Sequence, residues 1–260
     1  MRSIALMNQK GGVGKTTCTV NLGAALAARE QRVLLVDMDP QANLGLHLDL
    51  EIHELEHSIY SVLTGRSSVA EAVIRDVRPG LSVLPANIDL SGAEVELMSA
   101  VGRENLLRDR LRTYLDLAPY DFVLVDCPPS LGLLSLNALT AVREVLIPLQ
   151  TEFFAMQGMT RLLDVVELIR ERINADLEVS TIVATMFDPR TNLSRDVVGE
   201  IRQFFGSRVC ETVIRTNVRL AEAPSHGKTI LEYAPTSHGA QDFARLAAEV
   251  LDRDRQPVAL

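Results

Sequence analysis

The feature that most constrains this chain is Lys10-Gly11-Gly12-Val13-Gly14-Lys15-Thr16-Thr17, set between a short apolar run at Ile4–Met7 and an Ala/Leu-rich segment of helical period. A triphosphate needs several backbone N–H groups at close range, and glycines permit both the tight bend and that approach. In such a loop Lys15 reaches the β and γ phosphates, Thr16 ligates Mg²⁺, and the N-terminus of the following helix adds its dipole. The loop departs from the common G-x-x-x-x-G-K-[ST] pattern, because Gln9 stands where the first glycine belongs and a second lysine, Lys10, precedes the glycine pair.

A strand that ends in a phosphate loop and opens a helix belongs to an α/β protein. The rest of the chain reads the same way. Strands are expected at 3–8, 32–37, 81–84, 121–126, 144–149, 179–185 and 209–213, several of them apolar nearly throughout, as in strands covered on both faces. Helices are expected at 15–29, 103–117, 133–142, 157–173, 194–205 and 239–252. The alternation predicts a mostly parallel twisted sheet flanked by helices. At 260 residues and 47% hydrophobic content, one domain spanning 1–260 is the simplest arrangement. The segment 43–80 is the least regular and reads as a surface excursion.

Two further apolar runs end in acids. Val33–Val36 leads into Asp37-Met38-Asp39, whose two carboxylates share a strand face, and Phe122–Val125 leads into Asp126. Acidic residues at strand ends are common turn formers, but three beside a phosphate loop suit a magnesium-bound substrate. Only three of the 26 basic residues are lysines, Lys10, Lys15 and Lys228, and two of them fall in this one loop. A compact ammonium among phosphate oxygens explains that choice in a chain that otherwise uses arginine.

The loop with its extra lysine resembles the deviant Walker A loop of the ParA/MinD superfamily, and the chain as a whole is most similar to the ParA/Soj family of chromosome-partitioning ATPases. Asp126-Cys127-Pro128-Pro129-Ser130 looks like the family's D-x-P-P-S segment, and Asn217-Val218-Arg219-Leu220-Ala221-Glu222-Ala223-Pro224-Ser225 like its N-V-R-L-x-E-A-P-S stretch. The resemblance implies a P-loop ATPase with weak intrinsic turnover that uses ATP and Mg²⁺. It implies nucleotide contacts from Gly11, Gly12, Val13, Gly14, Lys15, Thr16, Thr17, Met186 and Asn217, and a metal shell from Thr16, Asp37 and Asp126. Asp39 is implied to orient the attacking water. Lys10 is implied to cross a homodimer interface onto the partner's nucleotide, making Lys10, Lys15 and Asp39 the catalytic set. Where the family reads Ile-Pro-Arg-Asn, this chain has Ile214-Arg215-Thr216-Asn217, so the arginine sits one place early.

The net charge of −8 excludes a protein that coats nucleic acid with its whole surface. Residues 184–233 nonetheless carry seven basic against six acidic side chains, and Arg190 and Arg219 match positions that contact nonspecific double-stranded DNA in the family. The implied partners are a second copy of the chain, DNA and a ParB-like centromere-binding protein, in a cytoplasmic, nucleoid-associated setting. Alternatives are an orphan relative that positions a plasmid or protein cluster, and a MinD-type membrane-linked ATPase. A membrane role is disfavoured by residues 239–260, where four acids offset three arginines and Pro257 interrupts the end. No run approaches the ~18 apolar residues of a membrane span. A metal-cluster carrier on the same fold needs cysteines at a dimer axis, and Cys18, Cys127 and Cys210 form no such set.

Overall fold

The structure is a computed structural model that describes residues 1–152 and 157–253; the end of the chain, including Pro257, lies outside them. Seven strands form one sheet: β1 (Arg2–Leu6), β2 (Val33–Asp37), β3 (Ile74–Arg78), β4 (Leu81–Leu84), β5 (Phe122–Asp126), β6 (Glu144–Gln150) and β7 (Glu178–Thr185). Their order is β3-β4-β2-β5-β1-β6-β7, parallel throughout except for the edge pair β3–β4. The α-helices among the described residues are α1 (Lys15–Ala27), α2 (Asn43–His47), α3 (Ile59–Leu63), α4 (Val69–Ala72), α5 (Leu90–Glu96), α6 (Leu106–Leu115), α7 (Leu133–Ala141), α8 (Gln157–Arg172), α9 (Asn192–Phe205), α10 (Val218–Glu222), α11 (Ile230–Tyr233) and α12 (His238–Arg253).

The unbroken apolar strands have the cause expected of them. In β2 and β5, Val33, Leu35, Phe122 and Leu124 face one core with α1 and α12, while Leu34, Val36, Val123 and Val125 face a second core on the other side of the sheet. Both layers are closed, so neither strand face needs polar residues. On α12, Phe243, Leu246, Ala247 and Val250 are fully buried against the first core, so this helix packs on the body of the domain.

Two expectations are corrected. The segment 43–80 is no surface excursion: α2, α3, α4 and the edge strand β3 lie there, and Ile52, Ile59, Val62 and Val69 are core residues. The stretch 209–213 is not a strand. It touches β7 only through an isolated bridge from Val209 to Ile182 and hydrogen bonds from Cys210 N to Ile182 O and Ile214 N to Ala184 O, both 2.8 Å. Val209 N donates to Gly206 O within the preceding turn, and the next N–H groups along the chain turn to helix α12. Glu249 accepts from Glu211 N and Thr212 N, and Asp242 from Arg215 N. Two carboxylates seven residues apart on one helical face thus replace a neighbouring strand.

Parallel strands deliver their carboxyl ends to one edge, and the chain order reverses at β1, which lies between β5 and β6. In open α/β sheets that switch point is where ligands bind.

Candidate nucleotide site

The loop 8–14 leaves β1 at this switch point and feeds α1. Gly12 (φ 75°) and Gly14 (φ 91°) both take left-handed backbone, which β-carbon-bearing residues adopt only at a cost. A Cβ placed on Gly11, Gly12 or Gly14 would meet nothing within 4 Å, so the loop encloses open space. Gly14 caps α1 without any side-chain acceptor, which leaves the first N–H groups of the helix for a ligand. Val13 anchors the loop from below: its side chain is buried and its carbonyl accepts from Thr185 Oγ1 at 2.9 Å. The carbonyl of Thr17 accepts from Asn21 Nδ2, whose Oδ1 in turn holds Ile230 N, so α1 is fixed to α11.

Lys15 is 8% exposed, yet among the described residues its ammonium reaches only the carbonyl of Lys10, at 3.4 Å. Burial pulls its pKa down, against the opposing pull of Asp126 and Asp39. A cation held out of water with so weak a partner is one prepared for an anion.

The carboxylates gather on the β2–β5 side of the loop. Asp37 and Asp126 are register partners at the strand ends, and both are buried. Asp126 accepts from Thr16 Oγ1 at 2.6 Å and Thr19 Oγ1 at 3.2 Å. Asp37 Oδ1 accepts from Asp39 N at 3.0 Å, while Asp37 Oδ2 is buried and accepts no well-formed hydrogen bond among the described residues. Burial pushes the Asp126 carboxyl up to about 7, with Asp39 adding to the effect and Thr16 and Lys15 opposing it; burial, reinforced by Asp126, also raises Asp37 well above the usual carboxylate range. No cluster of three His, Cys, Asp or Glu side chains among the described residues could hold a metal by itself. The donor set instead fits a hard cation that brings other oxygens with it. One hydroxyl, one carboxylate and an orphaned carboxylate oxygen suit magnesium on a polyphosphate, which characteristically keeps waters and few protein ligands. Asp39 is more exposed, and its Oδ1 accepts from Gln41 N at 3.0 Å.

Lys10 stands apart from these groups. Its backbone N–H is held by Asn8 Oδ1, but its side chain is 53% exposed and its ammonium pairs with Glu152 of the same chain. Met186 and Asn217 lie on the far side of the loop. Met186 is a non-glycine residue at φ 52° directly after the Thr185 that holds Val13, and it is 40% exposed. Asn217 Oδ1 caps α10 by accepting from Arg219 N. Arg190 pairs with Asp188 and Arg219 with Glu222, both at the surface. The sequence reading missed Thr19 and Thr185. Thr19 was legible as a hydroxyl one turn beyond Lys15 on the face that meets Asp126, whereas nothing local marks Thr185.

A phosphate-cradling loop at the β1–α1 switch point, with acids at the ends of β2 and β5, defines a P-loop nucleotide hydrolase. The family model described as an AAA domain matches residues 1–179. The chromosome partitioning protein ParA of Caulobacter vibrioides is 46% identical over 98% of this chain and 96% of its own length. The sporulation initiation inhibitor protein Soj of Bacillus subtilis is 47% identical over 95% of this chain and 97% of its own. Among solved structures, cobyrinic acid a,c-diamide synthase from Mycobacterium smegmatis with bound ATP analog and magnesium is 36% identical, covering 98% of this chain and 96% of its own, with a TM-score of 0.85. The chain belongs to the ParA/Soj family and is a ParA-type ATPase.

Proposed function

We propose that this chain is an ATP-driven partitioning switch: Mg-ATP joins two protomers, the dimer holds nonspecific double-stranded DNA, and hydrolysis, stimulated by a ParB-like partner, releases it. The observation that carries the reading is the second loop lysine. Lys15 already serves the cradle, so Lys10, exposed and among the described residues paired with a similarly exposed Glu152, is available at small cost to act on a nucleotide held by another subunit. The relatives named for chromosome partitioning support the same reading.

In this mechanism the N–H groups of 11–17 and the Lys15 ammonium hold the phosphate chain. Thr16, Asp37 and Asp126 hold the magnesium, which when bound neutralises charge on the phosphate oxygens. Asp39 orients the attacking water, a role that needs an ionised carboxylate rather than a strong base. Lys10 of the opposite copy stabilises charge developing on the transferred group. Because contacts cross the interface, nucleotide binding and dimerisation form one linked equilibrium. Arg190 and Arg219 supply the DNA contacts by exchanging Asp188 and Glu222 for phosphates, which requires binding to weaken as salt rises. No helix among the described residues is long and apolar enough to cross a membrane; the proposed place of action is the nucleoid, where the DNA is.

The test is solution mass together with turnover, measured with and without double-stranded DNA. A wild-type dimer in Mg-ATP, a monomeric Lys10→Ala variant and DNA retention lost in Arg219→Glu are the expected results. A wild-type chain that stays monomeric when saturated with ATP overturns the reading.

A further inference from the structure

The two flanks of the phosphate loop differ in chemistry. The metal-binding acids occupy the β2 and β5 side, so the terminal phosphate lies toward them, and the other end of a bound nucleotide extends toward β6 and β7. The wall on that side is the turn 185–187 together with 214–217. It is joined to the loop through Thr185 Oγ1 and Val13 O, and internally by Phe187 N to Ile214 O and Thr216 N to Phe187 O, each 3.0 Å.

That wall lacks a sheet neighbour on its outer side, since 209–213 forms no strand. Thr151 holds the 185–186 part from the β6 side, and on the outer side the 214–217 part is held by α12. Arg215 clamps Asp242 through Nη2 to Oδ1 at 2.6 Å and Nε to Oδ2 at 2.9 Å, while Arg215 N donates to the same carboxylate at 3.1 Å. The Asp242 side chain is 2% exposed and the Arg215 side chain 24%. One carboxylate therefore fixes both backbone and side chain of residue 215, in the middle of the wall. At the start of α12, Gly239 leaves room for Asn217: a Cβ there would come within 3.1 Å of Asn217 Nδ2 and 2.9 Å of Leu220 Cγ. A planar fork on a buried carboxylate fixes direction as well as distance, which lysine cannot do.

We propose that the Arg215–Asp242 pair sets the place of the 185–187/214–217 wall, making both residues positioning residues for the nucleoside end of the bound nucleotide. The inference rests on the nucleotide-site reading above. It gives the early arginine of Ile214-Arg215-Thr216-Asn217 a role: an anchor directed inward to α12 rather than a cation offered to DNA.

Tripolyphosphate separates this from a general loss of structure, because it fills the phosphate cradle and has no nucleoside to meet the wall. Calorimetric titration of wild type, Asp242→Asn, Arg215→Lys and Glu249→Gln with Mg-ATP and with Mg-tripolyphosphate provides the test. Asp242→Asn is expected to weaken ATP about tenfold, the worth of one well-placed contact, with tripolyphosphate unchanged. Arg215→Lys, which keeps the charge and loses the fork, should fall between wild type and Asp242→Asn. Glu249→Gln, which loosens 211–212 and the Arg253 pair but leaves residue 215 held by Asp242, should bind both ligands as wild type does. Unchanged ATP affinity in Asp242→Asn, or ATP and tripolyphosphate weakening together, overturns the proposal. Should Asp242→Asn not fold, Arg215→Lys is judged by the same two criteria. A wild type that binds neither ligand removes the nucleotide-site reading itself, whereas a wild type that binds both alongside an indifferent variant removes only the positioning role.

Discussion

The two sides of the β1 loop solve opposite problems. On the phosphate side polar groups are left unfinished: among the described residues Asp37 Oδ2 is buried without a well-formed hydrogen bond, α1 has no side-chain cap, and Lys15 has one long contact. Across the loop, Glu211 N, Thr212 N, Arg215 N and the Arg215 guanidinium are all satisfied by carboxylates of α12. Unfinished groups are costly in the free protein and become favourable when a ligand completes them, while a finished wall costs nothing and merely stays in place. The free chain is thus stabilised by one flank and destabilised by the other, and mutations should divide accordingly.

The largest effect should come from breaking the finished side. Arg215→Met leaves Asp242 buried without its cation, with only the backbone N–H of residue 215 still donating to it, and removing one partner of such a pair costs about 4 kcal/mol. Urea titration of the nucleotide-free variant measures this, and a loss below about 1 kcal/mol would mean that the wall does not depend on the pair. Next is Lys15→Ala on the unfinished side. It removes charge-assisted contacts to phosphate worth about 3 kcal/mol, or about 100-fold in Mg-ATP affinity, with little change in the stability of the free protein. If affinity survived, the cradle would not be the phosphate site.

How far each side was legible in the sequence follows from the same contrast. The phosphate side is contiguous: residues 10–17 carry the loop, and Asp37 and Asp126 stand at the ends of apolar runs, so local chemistry suffices. The wall is assembled from residues far apart in the chain. Val209, Cys210, Val213 and Ile214 look like a buried strand, and only Asp242 and Glu249 on a distant helix show why they do not form one. Strand β3 was missed because Arg75, Asp76 and Arg78 suit an exposed edge and hide the pairing pattern. The helices α2, α3 and α4 have five, five and four residues, too few to be stable alone, and exist because they pack. The strands β1, β2 and β4 to β7 were found because burial on both faces writes itself directly into composition.

A third, smaller effect tests whether the finished contacts depend on pH. His47, on α2 beyond the Asp39 loop, is buried and its Nε2 donates to Lys228 O at 3.2 Å. Burial lowers its pKa to about 4, below the ordinary value of 6.5. The unfolded chain therefore takes up a proton that the folded chain refuses, and stability is lost as pH falls from 6.5 toward 4. Between pH 8 and pH 5 this amounts to about 2 kcal/mol. Asp126, raised to about 7, acts in the opposite direction over the same interval, because the folded state binds its proton first. The diagnostic quantity is the difference in urea stability between wild type and His47→Gln, which should change by that amount between the two pH values. A difference independent of pH would place the imidazole in solvent.

The smallest effect carries the opposite sign, and it bears on the unfinished side directly. Asparagine at position 37 keeps an oxygen for the Asp39 N–H and replaces a group whose charged form is disfavoured by burial and by Asp126 with a neutral amide that costs less to bury. The free protein should gain about 1 kcal/mol in urea titration, while magnesium-dependent ATP binding weakens. A gain in stability coupled to a loss of ligand is what a site held incomplete for its substrate requires. An Asp37→Asn variant less stable than wild type in the absence of nucleotide would show instead that the carboxylate supports the fold, and the contrast between the two flanks would fail at its most buried residue.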